Sequence, residues 1–271
     1  MSASPATFVI HRNGQPASAA DLGPLAFAGY AHFTAMQVRD GRARGLDLHL
    51  ARLRSASMEM FGQALHDDTV RHRLRTAIQA SPADHSLVAT VYTPAGEFTV
   101  AGPDAGLDIL VRTSPPADGP SGPLALAAFE HERMLPQVKH VGEIAKTYLL
   151  RQAAARGFDD AAFMDRQGRL SEASIWNLAF WDGAAVIWPE AAMLRGTTMG
   201  IVQRHLARLG VPQHRRGITL ADLPGLRGAA VMNSWTPGVA VSRIGEARMP
   251  PAPAFLQWLH QAYAAEPIAA P

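Results

Sequence analysis

The sequence contains no cysteine. That absence excludes disulfides, thiolate metal ligands and a cysteine nucleophile, and it fits a reducing compartment. Lysine is almost missing too: of 25 Lys+Arg, only Lys139 and Lys146 are lysines. No apolar run approaches the roughly 20 residues that span a bilayer. The stretch Met1-Ser2-Ala3-Ser4-Pro5 has no basic segment followed by an apolar one. A cytoplasmic protein with no membrane partner is the expectation. Charge of one sign is also lacking, because acids and bases nearly cancel to a formal +2. The pI of 9.3 therefore reflects how little titrates just above neutrality, with two Lys, four Tyr and no Cys. Arg42, Arg44, Arg52, Arg54, Arg71, Arg73 and Arg75 do cluster, but acids interleave and no aromatic stacking pattern accompanies them. A solvated surface, not a nucleic-acid partner, is the reading.

What is present is a chain of 271 residues, 48% hydrophobic and 18% charged, which is globular and long enough for two domains or one large one. A first strand is expected over Thr7 to His11, then a turn at Asn13-Gly14. A second strand, Phe33 to Arg39, ends at Asp40-Gly41. Leu46, Leu50, Leu53 and Met60 recur at helical spacing up to Gly62, and Asp67 or Asp68 is placed to cap a further helix to about Ala80. With the aspartates used as caps, His66, Asp67, Asp68 and His72 do not read as a metal site, and none is expected. Strands follow at Leu87 to Tyr92 and Leu107 to Val111. The Pro/Gly/Ser-rich stretch up to Pro123 divides the chain into residues 1–114, a linker 115–123 and residues 124–271.

Beyond the linker, Leu124 to Glu130 reads as a strand and Ala145 to Arg156 as an amphipathic helix stopped by Gly157. Lys146 lies in that helix, where a surface or rim position is expected. Ala161 to Asp165 and Arg169 to Glu172 flank a Gln167-Gly168 turn, and Asn177 to Trp181 with Ala184 to Trp188 forms a hairpin. Gly196-Thr197-Thr198 opens a helix over Gly200 to Leu209, and Ala229 to Asn233 and Val239 to Ile244 are strands. Phe255 to Tyr263 reads as a closing helix.

Arginine stays protonated at any accessible pH, so a chain that uses arginine almost everywhere still needs lysine where an amine must become a nucleophile. Lys139 sits in a short extended segment, and Glu172 is a lone carboxylate on a strand 33 residues later. Gly196-Thr197-Thr198 at a helix start presents backbone N–H groups to an anion. A nucleophilic lysine, a lone carboxylate and an anion site together suit pyridoxal phosphate: the amine forms the Schiff base, the carboxylate keeps the ring nitrogen protonated, and the anion site takes the phosphate. From spacing alone, a strand lysine and a strand glutamate also read as solvated partners.

From Val138 to Gly200 the sequence resembles the fold type IV pyridoxal-phosphate enzymes, or class IV aminotransferases, which include branched-chain and D-amino-acid aminotransferases and aminodeoxychorismate lyase. The residues carrying the resemblance are Lys139, Gly157, Asp160-Ala161, Asp165, Gly168, Leu170-Ser171-Glu172, Asn177, Leu194 and Gly196-Thr197-Thr198. More weakly, His49-Leu50-Ala51-Arg52-Leu53 is similar to the family's helix whose arginine contacts the cofactor phosphate. The resemblance implies Lys139 as Schiff-base lysine and proton carrier, and Glu172 as partner of the pyridine nitrogen. It implies Arg52, Thr197 and Thr198 as phosphate contacts, with Asn177, Ser234 and Trp235 around the cofactor, and Tyr30, His32, Tyr92 and Trp235 as candidates for the substrate wall.

It also implies an α/β (α+β) two-domain architecture, a small α/β domain followed by a larger pseudo-barrel domain, assembled as a homodimer. The expected activity is amino transfer between an amino acid and a 2-oxo acid. The alternatives are 4-amino-4-deoxychorismate lyase, releasing pyruvate and 4-aminobenzoate, and a degenerate binding protein without catalysis. Several positions depart from the family. Ala28-Gly29-Tyr30-Ala31-His32-Phe33-Thr34 lacks the glutamate of its early motif. Ile144 stands where branched-chain enzymes carry a tyrosine, Met199 where an arginine is usual, and Trp235 where the family often has a small residue. No arginine occurs between Leu87 and Val100, where D-amino-acid enzymes place a carboxylate clamp. Val138-Lys139-His140 looks closer to the lyase and D-amino-acid branches.

Overall fold

A computed structural model describes residues 7–26, 29–96 and 106–271. The Met1–Pro5 stretch, Ala28 of the early motif and the 97–100 end of the arginine-free stretch lie outside the described residues. The chain divides into two compact units, one of residues 1–117, 138–142 and 267–271, the other of residues 118–137 and 143–266.

In the first unit, β1 (Ile10–Arg12) and β2 (Gln15–Pro16) precede α1 (Ala19–Ala26), β3 (Ala31–Arg39) and β4 (Arg42–Arg44). After these come α2 (Leu46–Phe61), α3 (Asp67–Gln79), β5 (His85–Tyr92) and β6 (Asp108–Ser114). Two hairpins turn where the sequence places them. Asn13 and Gly14 have φ of 49° and 84°, and Asp40 and Gly41 have 50° and 66°. A two-residue hairpin with both φ values positive matches the twist of its strands, which is why Asn-Gly and Asp-Gly occupy these corners. Alternate residues of the sheet, among them Met36, Val38, Leu87, Ala89, Val91 and Val111, pack against Leu50 and Leu53 of α2 and Leu74 and Ile78 of α3.

Two corrections concern helices. Asp67 and Asp68 lie in the first turn of α3 and do not cap it, because His66 holds the N-cap position without a side-chain bond and Asp67 pairs with Arg54. Helix α1, with Pro24 inside it, has too short and irregular an apolar pattern to be read from spacing.

The seam between β3 and α2 is polar. His49 Nδ1 lies 2.6 Å from Thr34 Oγ1, and His32 Nε2 lies 2.8 Å from Ser57 Oγ. Burial lowers the pKa of His32 to about 4 and, joined by the charge of Arg52, that of His49 to about 3. Because β4 is short, the rest of that edge of β3 is open to pairing, and residues 138–142 fill it. Phe33 N–H donates to the Lys139 carbonyl at 2.8 Å, Val141 N–H donates to the Ala31 carbonyl at 2.9 Å, and His32 bridges to His140.

The second unit contains β7 (Leu124–Glu130), α4 (Ile144–Ala155), β8 (Asp160–Met164), β9 (Leu170–Ala173), β10 (Asn177–Trp181) and β11 (Val186–Pro189). These lead into α5 (Thr197–Arg208), β12 (Gln213–Arg216), β13 (Gly228–Met232), β14 (Val239–Ile244), β15 (Ala247–Arg248) and α6 (Pro253–Ala264). Strands β10, β13, β14, β7, β8 and β9 are neighbours in that order, and β9 pairs back to β10, so the path closes into a barrel. The closing pair is Glu172 with Asn177. The last strand of the chain, β16 (Ile268–Ala269), pairs with β4 of the first unit.

Strand periodicity sorts the barrel residues. Leu124, Leu126, Ala162, Leu178, Phe180, Val231 and Val241 share one core. Their neighbours Ala127, Ala161 and Phe163 pack with Ala153 of α4, whereas Ala179, Ala230 and Met232 pack with α5 and α6 through Val202, Leu206 and Leu259. Strands β8, β10 and β13 are thus buried on both faces, which explains their nearly continuous apolar sequences.

Closure fixes the start of α5. The Asn177 side chain donates Nδ2–H to the Leu194 carbonyl at 2.6 Å and accepts the Gly196 N–H on Oδ1 at 2.9 Å. A Cβ at Gly196 would overlap Asn177 Oδ1. The glycine is needed there for close approach, because its φ of −63° suits any residue.

Two outcomes are expected. Both buried histidines bind protons more weakly in the folded chain than in the unfolded one, so they contribute stability above the unfolded pKa of 6.5 that is lost as pH falls through their folded values. The unfolding free energy from urea titrations followed by circular dichroism should drop between about pH 6.5 and pH 3, by on the order of 3 kcal/mol for His32, and His49→Asn should flatten part of that slope. Gly196→Ala should cost roughly 1–3 kcal/mol, read as a lower melting temperature. It should cost less in an Asn177→Ala background, where the clashing oxygen is gone.

Candidate active site

Glu172 ends up buried on β9, 4% exposed, in the pair that closes the barrel. Asp160 holds the connection that follows it. Its Oδ2 accepts Ser174 Oγ–H at 2.9 Å and Trp176 Nε1–H at 3.0 Å, and its Oδ1 accepts the Ser174 N–H at 3.2 Å. The tight return from Glu172 to Asn177 is therefore pinned by one satisfied carboxylate.

Lys146 is not at the surface. It is 6% exposed, and its Nζ donates to Glu172 Oε1 at 3.0 Å while standing 5.6 Å from the centre of the Phe163 ring. The position follows from helix geometry: Lys146, Leu149 and Ala153 lie three and four residues apart and share the face of α4 that packs on the barrel. An apolar stripe with a lysine in it reads equally as a rim position, and only the carboxylate opposite makes burial favourable. Arg133, with its side chain 4% exposed, adds a second cation. Its Nη2 lies 2.7 Å from Glu143 Oε1, and its Nη1 lies 3.6 Å from Glu172 Oε1. The loop carrying Arg133 has no periodic signal, so its place beside Glu172 is not readable from the sequence.

At the start of α5, Thr197 and Thr198 are buried and no acidic residue stands in the first turn. The first-turn N–H groups of a helix have no partner within it, and the helix dipole favours negative charge there. The amide of Asn177 is committed to the Leu194–Gly196 turn, so its part is to shape that terminus. Ser234 and Trp235 lie in the return between β13 and β14. Asn233 Oδ1 accepts the Trp235 N–H at 2.8 Å, and the Trp235 ring meets Trp176 edge-on at 5.8 Å.

In the first unit, Lys139 is half-buried, and its Nζ stands 4.8 Å from the centre of the Phe33 ring. Arg52 is half-buried on α2, between the two seam residues His49 and Ser57. Of the candidates for a substrate wall, His32 is fully buried in the β3–α2 seam. Tyr92 is 2% exposed, and burial, then the charge of Asp108, raises its pKa. Tyr30 is 41% exposed and donates its hydroxyl to the Met60 carbonyl at 2.8 Å. Trp235 belongs to the second unit and is 39% exposed.

The second unit thus brings Glu172, Asn177 and Gly196–Thr198 together through hydrogen bonds and strand pairing, with Lys146 and Arg133 added. Lys139, Arg52, Tyr30, His32 and Tyr92 belong to the first unit. No cluster of three or more metal-ligating side chains occurs among the described residues, and no helix among them is long and apolar enough to cross a membrane.

A search of curated proteins by sequence finds no match. Solved structures share the fold. A branched-chain aminotransferase from Thermoproteus uzoniensis, solved with norvaline, superposes with a TM-score of 0.83 at 16% identity, over 95% of this chain and 94% of that one. A hypothetical aminotransferase from Mycobacterium tuberculosis in its PLP-bound form gives 0.77 at 20% identity, over 96% and 99%. The 4-amino-4-deoxychorismate lyase of Pseudomonas aeruginosa also gives 0.77 at 20%, over 92% and 97%. The family model for amino-transferase class IV matches residues 31–244. From that match, over most of its length, the chain belongs to the class IV aminotransferase family.

Proposed function

We propose that the chain is a pyridoxal-phosphate-dependent aminotransferase that moves an amino group between an amino acid and a 2-oxo acid. The observation that supports it most directly is the buried Glu172 carboxylate, hydrogen-bonded on a closed barrel beside a helix N-terminus with no acid in its first turn. The donor set fits the cofactor. A carboxylate held in place suits a protonated ring nitrogen, and the N–H groups of a helix start suit a phosphate. Pyridoxal phosphate, when bound, supplies an electron sink for the charge left at a substrate Cα.

In this reading Glu172 holds the ring nitrogen, and the α5 terminus with Thr197 and Thr198, together with Arg52, holds the phosphate. Ser234 and Trp235 border the cofactor, and Asn177 keeps the phosphate-binding turn in shape. Lys139 supplies the amine that carries the cofactor and, once released, shifts the proton at the substrate Cα. Backbone pairing with β3 fixes the Lys139 peptide, so the freedom left to the amine is in its own side chain. Tyr30, His32, Tyr92 and Trp235 remain candidates to shape the substrate pocket, with His32 limited to support by its buried bond to Ser57. Assembly as a homodimer and residence in the cytoplasm belong to the same proposal.

The Mycobacterium tuberculosis aminotransferase has been solved with alpha-ketoglutarate and PMP, so 2-oxoglutarate is a natural first acceptor to offer. The second reading is the lyase, and Val138-Lys139-His140 is what favours it. One experiment separates them: the absorbance of the bound cofactor is followed while L- and D-amino acids, then aminodeoxychorismate, are added. Amino transfer predicts bleaching by an amino acid, release of its 2-oxo acid and recovery on adding 2-oxoglutarate. Pyruvate released from aminodeoxychorismate, with every amino acid inert, would make it the lyase. No cofactor absorbance at all would leave a binding protein. Lys139→Ala should abolish turnover, and Arg52→Ala should weaken cofactor retention roughly tenfold to a hundredfold, read by equilibrium dialysis.

A further inference from the structure

Glu172 is held by more than its strand. The hydrogen bond from Lys146 and the longer contact from Arg133 both fall on one carboxylate oxygen, Oε1. A glutamate side chain turns about its last torsion with little resistance, so a bond to one oxygen is what decides where the other points. Burying an ammonium costs several kcal/mol unless a counter-charge and hydrogen bonds offset it. Here the offset comes from Glu172 itself and from the face of Phe163. Arg133 already has Glu143 at 2.7 Å, so its contact with Glu172 is the weaker one. Lys146 is thus the donor that sets the orientation of the carboxylate.

We propose that Lys146 is a positioning residue for cofactor binding: by anchoring Oε1, it aims Oε2 of Glu172 at the ring nitrogen of pyridoxal phosphate. This rests on the reading of Glu172 given above. Lys146 neither carries the cofactor nor moves a proton; its ammonium stays on the carboxylate, and its effect passes through Glu172 alone. Arginine at this position keeps a cationic donor to Oε1, whereas methionine keeps the length of the stem and removes the donor.

The test is a double-mutant cycle on the full chain, with the dissociation constant of pyridoxal phosphate read by quenching of intrinsic tryptophan fluorescence and melting temperatures measured alongside. Lys146→Met should weaken binding roughly tenfold in the wild-type background and leave it nearly unchanged once Glu172→Gln is present. Lys146→Arg should restore most of the affinity. An equal loss in both backgrounds, or no loss, would overturn the proposal. If Lys146→Met fails to fold, Lys146→Gln against Lys146→Arg reads the same contrast. Failure of the wild-type chain to bind pyridoxal phosphate would overturn the functional reading itself, which is a different result from a variant that binds as well as wild type.

Discussion

The fold and the candidate site of the second unit both depend on the pairing of Glu172 with Asn177. That register closes six strands into a barrel, and it places two polar residues of opposite duty side by side. Glu172 turns a carboxylate to the buried cations of the neighbouring helix and loop, while Asn177 spends its amide on the turn that starts α5. A slip of one residue would exchange the two faces of the strand. The apolar alternation of Leu178 and Phe180 against Ala179 resists such a slip, and Asp160 pins the intervening return through Ser174 and Trp176.

Electrostatics in this region is balanced locally. Glu143 and Glu172 meet Arg133 and Lys146, so each of these four groups has an opposite charge within 4 Å. Removing one partner would leave the other buried charge with its full desolvation penalty and nothing to offset it. In the first unit the same problem is solved with neutral groups. His32 and His49 are kept uncharged by burial and matched to Ser57 and Thr34, so these four side chains tie α2 to β3 through neutral groups.

Much of the fold was legible because local chemistry and tertiary packing agree. The Asn13-Gly14 and Asp40-Gly41 corners, the long apolar strands and the helix stopped at Gly157 all follow rules that act within a few residues. What was not legible depended on partners far along the chain. Lys146 sits in a stripe that is otherwise Leu149 and Ala153, and its burial is decided by Glu172, 26 residues later. Arg133 is in a loop with no period to read. Asp67 reads as a cap because its neighbours permit one, yet Arg54 on another helix claims it. The resemblance carried by Lys139, Glu172 and Gly196–Thr198 gave the family correctly. It is silent on Lys146 and Arg133, which lie outside the residues that carry it.

The proposed function gives the two lysines different work, Lys139 carrying the cofactor and Lys146 holding Glu172. The most direct measurement is to incubate the protein with pyridoxal phosphate, reduce it with borohydride and locate the fixed cofactor by tandem mass spectrometry. Modification on Lys139, with Lys146 unlabelled, is the predicted result. Modification on Lys146 would contradict the account, because the amine bonded to Glu172 would then be the one that carries the cofactor.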